Sequence, residues 1–329
     1  MQGENILLSI GPLVEGTVIQ RPSKHIKSPY VADVSILENT MKREILAHSA
    51  SLGCGGMAEQ DATVLMTKLS TSDKNSSENS ENSENSENSE NKKCSHRICL
   101  SIVRDCDHPG EECVVGIYPK LAEQLAEAAL KGGFLSSLQN PKSFRRETVI
   151  KIKDKVDSRF DFTGMDEAGV PFILEIKNVP IANYEEIPQA KKVKPSTKTT
   201  TKTTSKTSKK KMQELPDYKS FPFGSKVAYF PEGYRKKSTD TVSPRALKHV
   251  KELTFIKTET TTEKPIRCIL CFVVQRDDVE RFQPCSFDPE YKEAVQIAKN
   301  SGVEIIAMVV KWDKNGNATF IRDDLPISF

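Results

Sequence analysis

No run of eighteen or more apolar residues occurs in the 329-residue chain, so no membrane-spanning helix is expected. The N-terminal stretch MQGENILLSIGPL lacks the basic region and long apolar core of a secretory signal. An intracellular, soluble protein is the expectation, with cytoplasm and nucleus left open. Strong charge of either sign is also missing from the part that should fold. The formal net charge of +3 comes from one segment, because positions 188–213 hold nine lysines and no acid. Without those lysines and the five glutamates of Ser77–Asn91, the balance is 39 basic against 40 acidic residues. A nucleic-acid surface must then arise from local clustering of charge and not from overall attraction. The chain has eight cysteines, yet Cys94, His96, Cys99, Cys106 and His108 match no standard pair of zinc knuckles. Cys268 and Cys271 form a CxxC inside RCILCFVV. Residues three apart on a strand face opposite sides, so both are expected in the core and not on a metal. Free thiols are the default.

Two segments have almost nothing to bury. Ser77–Asn91 is five tandem SEN triplets, and KVKPSTKTTTKTTSKTSKKK is lysine and threonine nearly throughout. Neither can offset its ordering entropy, so disorder is expected for residues about 71–93 and about 185–220. The second could act as a mobile basic arm on phosphates or as an inert linker. The remaining length suits two domains. Before residue 113 the pattern is of short β-rich runs broken by glycine turns and proline, such as GTVIQRP and YVADV, as small barrels are built. After it, strands alternate with helices. PKLAEQLAEAAL carries Leu121, Leu125 and Ala129 four apart and is closed by Gly132 and Gly133, a helix signature. Asp288 followed by Pro289 predicts the N-terminus of another. The order from Tyr118 onward is α, β, β, β, α, β, α, β, which calls for a sheet covered on both faces.

The stretch Ser158–Val179, SRFDFTGMDEAGVPFILEIKNV, reads as two strands joined by a turn at residues 166–169. Each strand carries an acid where a buried strand should be apolar. Side-chain alternation puts Glu175 and Lys177 on one face, with Asp161 able to lie beside them on the neighbouring strand. Buried charges cost several kcal/mol unless paired or bound to metal. Two carboxylates can hold a hard divalent cation and a lysine can orient water or stabilise phosphate charge. A purely structural ion cluster is the alternative.

Asp161 with Glu175-x-Lys177 resembles the PD-(D/E)xK nuclease core, with Phe160 in place of the motif's proline. The strings SRFDF, LEIKNV, YFPEG, RALKHVKEL, CFVVQRDD and FDPEYKEAVQIAKNSGVEIIAM, in this order, resemble the sugar fermentation stimulation protein A (SfsA) family across Cys113 to Phe329. The resemblance extends toward the N-terminus through GTVIQRP and ADV. It implies an α/β restriction-endonuclease-like domain over residues 113–329, preceded by a small all-β OB-like barrel over residues 1–112. Asp161 and Glu175 would be ligands to Mg2+ or Mn2+, aided by the Ile176 carbonyl, and Lys177 the orienter of water. Glu147 and Lys248 are accessory candidates. Arg21, Lys24, Arg159, Arg245, Lys248 and Arg276 are candidate nucleic-acid contacts. The expected partner is nucleic acid, DNA in preference to RNA, with no membrane and with pairing into a homodimer left open. Two functions remain in view: a magnesium-dependent nuclease, and a non-catalytic DNA-binding regulator linked to sugar metabolism.

Overall fold

The structure is a computed structural model, and it describes residues 5–50, 54–69, 94–184, 221–232, 240–259 and 265–329. The SEN repeats and the Lys/Thr-rich insert lie outside the described residues. In chain order the strands before the first helix are β1 (Ile6–Ser9), β2 (Val14–Gln20), β3 (Val31–Glu38), β4 (Met41–His48), β5 (Thr63–Lys68), β6 (His96–Arg104) and β7 (Glu112–Gly116). Helix α1 (Lys120–Lys131), strands β8 (Ser143–Ile152), β9 (Val156–Met165), β10 (Pro171–Val179), β11 (Ala182–Asn183) and β12 (Lys226–Phe230), and helix α2 (Pro244–Glu259) follow. The chain continues with β13 (Arg267–Val274), β14 (Val279–Pro284), α3 (Pro289–Asn300), β15 (Glu304–Trp312) and β16 (Asn317–Arg322). The fold is mixed α/β and mostly sheet.

Strands β2 to β7 make a six-stranded sheet in the order β4-β3-β2-β5-β6-β7, and a further pairing of β4 with β6 bends it partly closed. Its interior is the cluster built on Val18, Val34, Ala47, Val64, Met66 and Ile98. The short β-rich runs of the first third therefore do form a barrel-like sheet. Strand β1 is not part of it: β1 pairs with β16 at the far edge of the other large sheet.

That second sheet has seven strands in the order β1-β16-β15-β13-β10-β9-β8. At its centre β10, β13 and β15 run parallel, flanked by antiparallel β9 and β8. Both faces are covered, as the alternation of helices and strands requires. Helix α1 buries Leu121, Leu125, Ala129 and Leu130 on one face, each leucine stabilising by roughly 1.5–3 kcal/mol relative to exposure. Helices α2 and α3 cover the other with Val250, Leu253, Tyr291 and Val295. The α3 start is as the sequence predicts: Asp288 accepts the Tyr291 N–H at 3.1 Å with Pro289 in the first turn. Cys268 packs on the α2–α3 side and Cys271 on the α1 side, and burial pushes both thiols up to about 12. None of the eight cysteines is in a disulfide. The element order from α1 onward matches the one predicted, with β11, β12, β14 and β16 as additions; β11, β12 and β14 form a small third sheet. No helix of the described residues is long and apolar enough to cross a membrane.

Candidate metal and nucleic-acid site

Strands β9 and β10 meet in the expected turn. Asp166 accepts the Val170 N–H at 2.8 Å, and Gly169 adopts a φ of 85°, a conformation open to glycine at no steric cost. From the turn the ladder runs until Leu174 faces Phe162. There the strands part. The Asp161 carboxylate fills the opening, its Oδ2 accepting the Ile176 N–H at 2.7 Å.

Glu175 and Lys177 lie on the face of β10 that looks toward α2. Both are buried. Glu175 Oε1 receives Lys177 Nζ from its own strand and His249 Nδ1 from α2. The His249 ring also lies 5.7 Å from that of Phe160, so the residue standing where the motif has proline packs against the imidazole. Glu175 Oε2 is buried with no hydrogen-bond partner. Burial pushes the Glu175 carboxyl up, but Lys177 and His249 outweigh it and hold it below the usual carboxylate range. Asp161 has no such compensation. Burial, then the Glu175 charge, push it up to about 7, against the pull of Lys177 and of the Ile176 N–H; Glu123 of α1 adds to the rise. The site thus holds two acids with one cation between them, one carboxylate being ionised and the other only partly so near neutral pH.

A hard divalent cation fits this donor set. Glu175 Oε2 is an unused buried oxygen, Asp161 has a second oxygen beyond the one on Ile176, and an added positive charge would relieve the repulsion that raises Asp161.

The other predicted residues are dispersed. Glu147 lies between Arg146 and Thr148, which pair with Phe162 and Phe160 of β9, but its side chain is 56 % exposed and pairs with Arg159 at 3.4 Å. Lys248 turns away from the acids: it donates to the Asp157 carbonyl at 2.6 Å and approaches Glu252. Its neighbour His249 takes the position beside Glu175. Arg245 is exposed on the first turn of α2, and Lys24 is half-exposed on Glu44 at 2.7 Å. Two of the expected phosphate contacts are interior. The Arg21 side chain is 4 % exposed and donates to the Pro29 carbonyl at 2.7 Å. Arg276 is buried, forked onto Asp278 at 2.6 and 2.7 Å and bonded to the Pro180 carbonyl. Its charge is compensated within the fold, so it is a structural residue. Gln275 beside it is spent on Asn178 and Trp312.

His249 was within reach of sequence reasoning, since Ala246, His249, Val250 and Leu253 form one helical stripe. Glu123, which with Glu127 holds Arg146 of β8 at 2.8 and 2.6 Å, had no such signal. Among the described residues, groups able to offer three metal-binding atoms are His25–Asp33–Glu44 and Asp105–Cys106–Asp107. Cys94, His96, Cys99 and His108 join neither. In the first group Asp33 already accepts from Ser23 and Lys24, and Glu44 from Lys24 and His25.

Known proteins resemble this chain. A family model described as the sugar fermentation stimulation protein RE domain matches residues 207–316. The sugar fermentation stimulation protein homolog of Maricaulis maris is 25 % identical over 198 residues, 60 % of this chain and 60 % of that protein. The homolog of Shewanella sediminis is 28 % identical over 204 residues, 62 % and 66 % of the two chains. That of Alkaliphilus metalliredigens is 37 % identical over 82 residues, 25 % and 33 %. The matched stretches thus span from a third to just under two thirds of these relatives. The solved structure of Pyrococcus furiosus SfsA in complex with Ca2+ has 16 % identity and a TM-score of 0.60, covering 98 % of this chain and 99 % of that one, a likeness of fold. The class is therefore a mixed α/β protein that joins a barrel-like sheet to a two-faced sheet bearing an acidic pair and a lysine. More narrowly, residues 207–316 match the sugar fermentation stimulation protein RE domain, and the chain resembles the sugar fermentation stimulation protein (SfsA) homologs.

Proposed function

We propose that the chain is a divalent-cation-dependent phosphodiesterase acting on nucleic acid, DNA in preference to RNA, with a restriction-endonuclease-like unit over residues 113–329 and an OB-like barrel before it. The observation that carries this is the buried, unpartnered Oε2 of Glu175 beside an Asp161 carboxyl raised to about 7. Asp161, Glu175 and the Ile176 carbonyl would hold Mg2+ or Mn2+, which when bound supplies Lewis-acid polarisation of a phosphate oxygen and a more acidic water. That the Pyrococcus furiosus protein was solved in complex with Ca2+ supports a divalent ion. The chain's own groups supply the rest. His249 fixes the Glu175 carboxylate through Oε1 and leaves Oε2, which has no hydrogen-bond partner, as the oxygen that would hold the cation. The Ile176 N–H fixes Asp161. Lys177, one of whose three donors is used on Glu175, keeps two to orient a water or neutralise phosphate charge.

The direct Lys177–Glu175 pair favours a second reading, in which a self-compensated cluster is retained in a non-catalytic DNA-binding regulator. Titration calorimetry with Mg2+ and Mn2+, followed by a cleavage screen on DNA and RNA, separates the two. Cation binding that is lost in Glu175→Gln, with cleavage lost in Asp161→Asn while nucleic-acid binding persists, establishes the nuclease. Wild-type protein that binds nucleic acid but no cation, even with the nucleic acid present, refutes it.

A further inference from the structure

Where the barrel-like sheet closes, β4 and β6 run parallel with His48 opposite Arg97. Their neighbours Ala47 and Ile98 fill the barrel interior, so by alternation His48 and Arg97 share its outer face. His48 is 7 % exposed, and its Nδ1 is buried without a hydrogen-bond partner. Arg97 Nε is likewise buried and unpartnered. Among the described residues no carboxylate pairs with Arg97; its guanidinium lies 5.1 Å over the Tyr118 ring. His48 stacks at 6.3 Å on Tyr30. Arg21 stands close enough to act on His48 electrostatically, its own counter-charge being Glu59 at 3.7 Å. Burial, then Arg97 and Arg21, hold the imidazole down at about 4.

A buried guanidinium N–H without an acceptor and a buried imidazole nitrogen without a partner are both unfavourable, and an oxyanion with two or more oxygens would satisfy the first and, once the ring is protonated, the second. A planar fork beside an imidazole suits phosphate, and flanking tyrosines suit a strand whose bases stack. Tyr118 stands two residues before α1, the helix whose Glu123 acts on Asp161, so one helix connects this seam to the acidic pair. We propose that Arg97 and His48, with Arg21 behind them, form a phosphate-binding pocket that holds the nucleic-acid strand on the barrel's outer face, an inference that rests on the nucleic-acid reading above. It gives the barrel-like sheet a share in substrate binding independent of the metal.

The test uses the full chain in Ca2+ and fluorescence anisotropy with single-stranded DNA carrying or lacking a 5′-phosphate. Arg97→Gln should weaken binding by about 10- to 100-fold and lower the slope of log affinity against log salt by about one. Arg97→Lys should recover part of the loss. Dependence on the 5′-phosphate assigns the pocket to a terminal monoester; equal loss with both oligonucleotides assigns it to an internal diester. Should Arg97→Gln fold poorly, NMR titration of His48 in the wild-type protein decides: its pKa should rise from about 4 when the oligonucleotide binds. An unmoved His48, or affinity and salt slope within twofold in a folded Arg97→Gln, overturns the pocket and leaves the catalytic reading untouched. Wild-type protein that binds neither oligonucleotide overturns both. Intact Arg97-dependent binding in a protein that takes no cation overturns the catalytic reading alone.

Discussion

Replacing Asp161 with asparagine should make the protein more stable at pH 8 while abolishing cation binding. The native carboxyl is raised from 3.8 to about 7 by burial first and by Glu175 second. In the unfolded chain it ionises near pH 3.9. Between those values the native state holds one proton more than the unfolded state, so this group's contribution to stability is fully present below about pH 4 and is lost as pH rises through 7. A shift of roughly three pKa units corresponds to about 4 kcal/mol at most. Asp161 is half-buried, and solvent screening reduces that to about 2 kcal/mol. Asparagine keeps an oxygen for the Ile176 N–H and carries no charge, so the variant escapes the loss. Thermal melts in chelator at pH 4.5 and pH 8 should show near-equal midpoints at the lower pH and a variant higher by several degrees at the upper one. Calorimetry should show no Mg2+ or Mn2+ bound by the variant, and wild-type binding should release close to one proton per ion at pH 6 and almost none at pH 8.5. A variant less stable than wild type at both pH values would refute the reasoning, since Asp161 would then be a favourable ion-pair member and not a strained one.

Lys177→Met, which keeps the stem and removes the charge, should leave cation affinity the same or higher and remove cleavage; unchanged cleavage would take Lys177 out of the chemistry. Arg276→Ala should destabilise by about 1–3 kcal/mol because it removes two hydrogen bonds from the buried Asp278 carboxylate and leaves it with Lys226 alone, measured by denaturant unfolding; a loss of nucleic-acid affinity without a loss of stability would contradict its interior role. Ellman's reagent should find one reactive thiol in the native protein, Cys106, the single exposed cysteine, and eight after unfolding, and metal analysis should find no zinc held by Cys268 and Cys271. Asp288→Ala should cost about 1 kcal/mol through loss of the α3 cap, checked by thermal melting.

Periodicity made the sheet and its helices legible. The four-residue spacing of Leu121, Leu125 and Ala129, the Asp288–Pro289 start and the opposite facing of Cys268 and Cys271 all depend on local geometry that the chain cannot avoid. The acidic pair was legible for a different reason: acids inside apolar runs stand out. Arginines did not reveal their surroundings, because an arginine forked onto Asp278 and one reaching for phosphate look the same in one dimension. The run QRDD did hold a clue, since Arg276 and Asp278 stand only two residues apart and carry opposite charges. Lys248 stands out in the sequence by its charge, whereas helical phase points to its neighbour His249. That β1 would leave its neighbours in sequence and cap the far edge of another sheet is a pairing between distant segments, and no local pattern encodes it.

Residues 185–220 have their two flanks fastened at one spot. Tyr184 OH donates to Asp105 at 2.6 Å and lies 2.7 Å from His108 Nδ1, while His108 Nε2 donates to the Phe221 carbonyl at 2.6 Å. A few residues on, Lys226 Nζ bridges Asp105 and Asp278, 2.7 Å from each. Chain entry and chain exit are thus riveted to the same histidine–aspartate pair. Joining two fixed ends by a longer flexible stretch costs only about 0.6 kcal/mol per doubling of its length, so the entropy of linking Tyr184 to Phe221 depends little on how many residues lie between them. The same position is a ready port for protein engineering, where a protease site, an affinity tag or a whole reporter domain can be spliced in without disturbing either sheet.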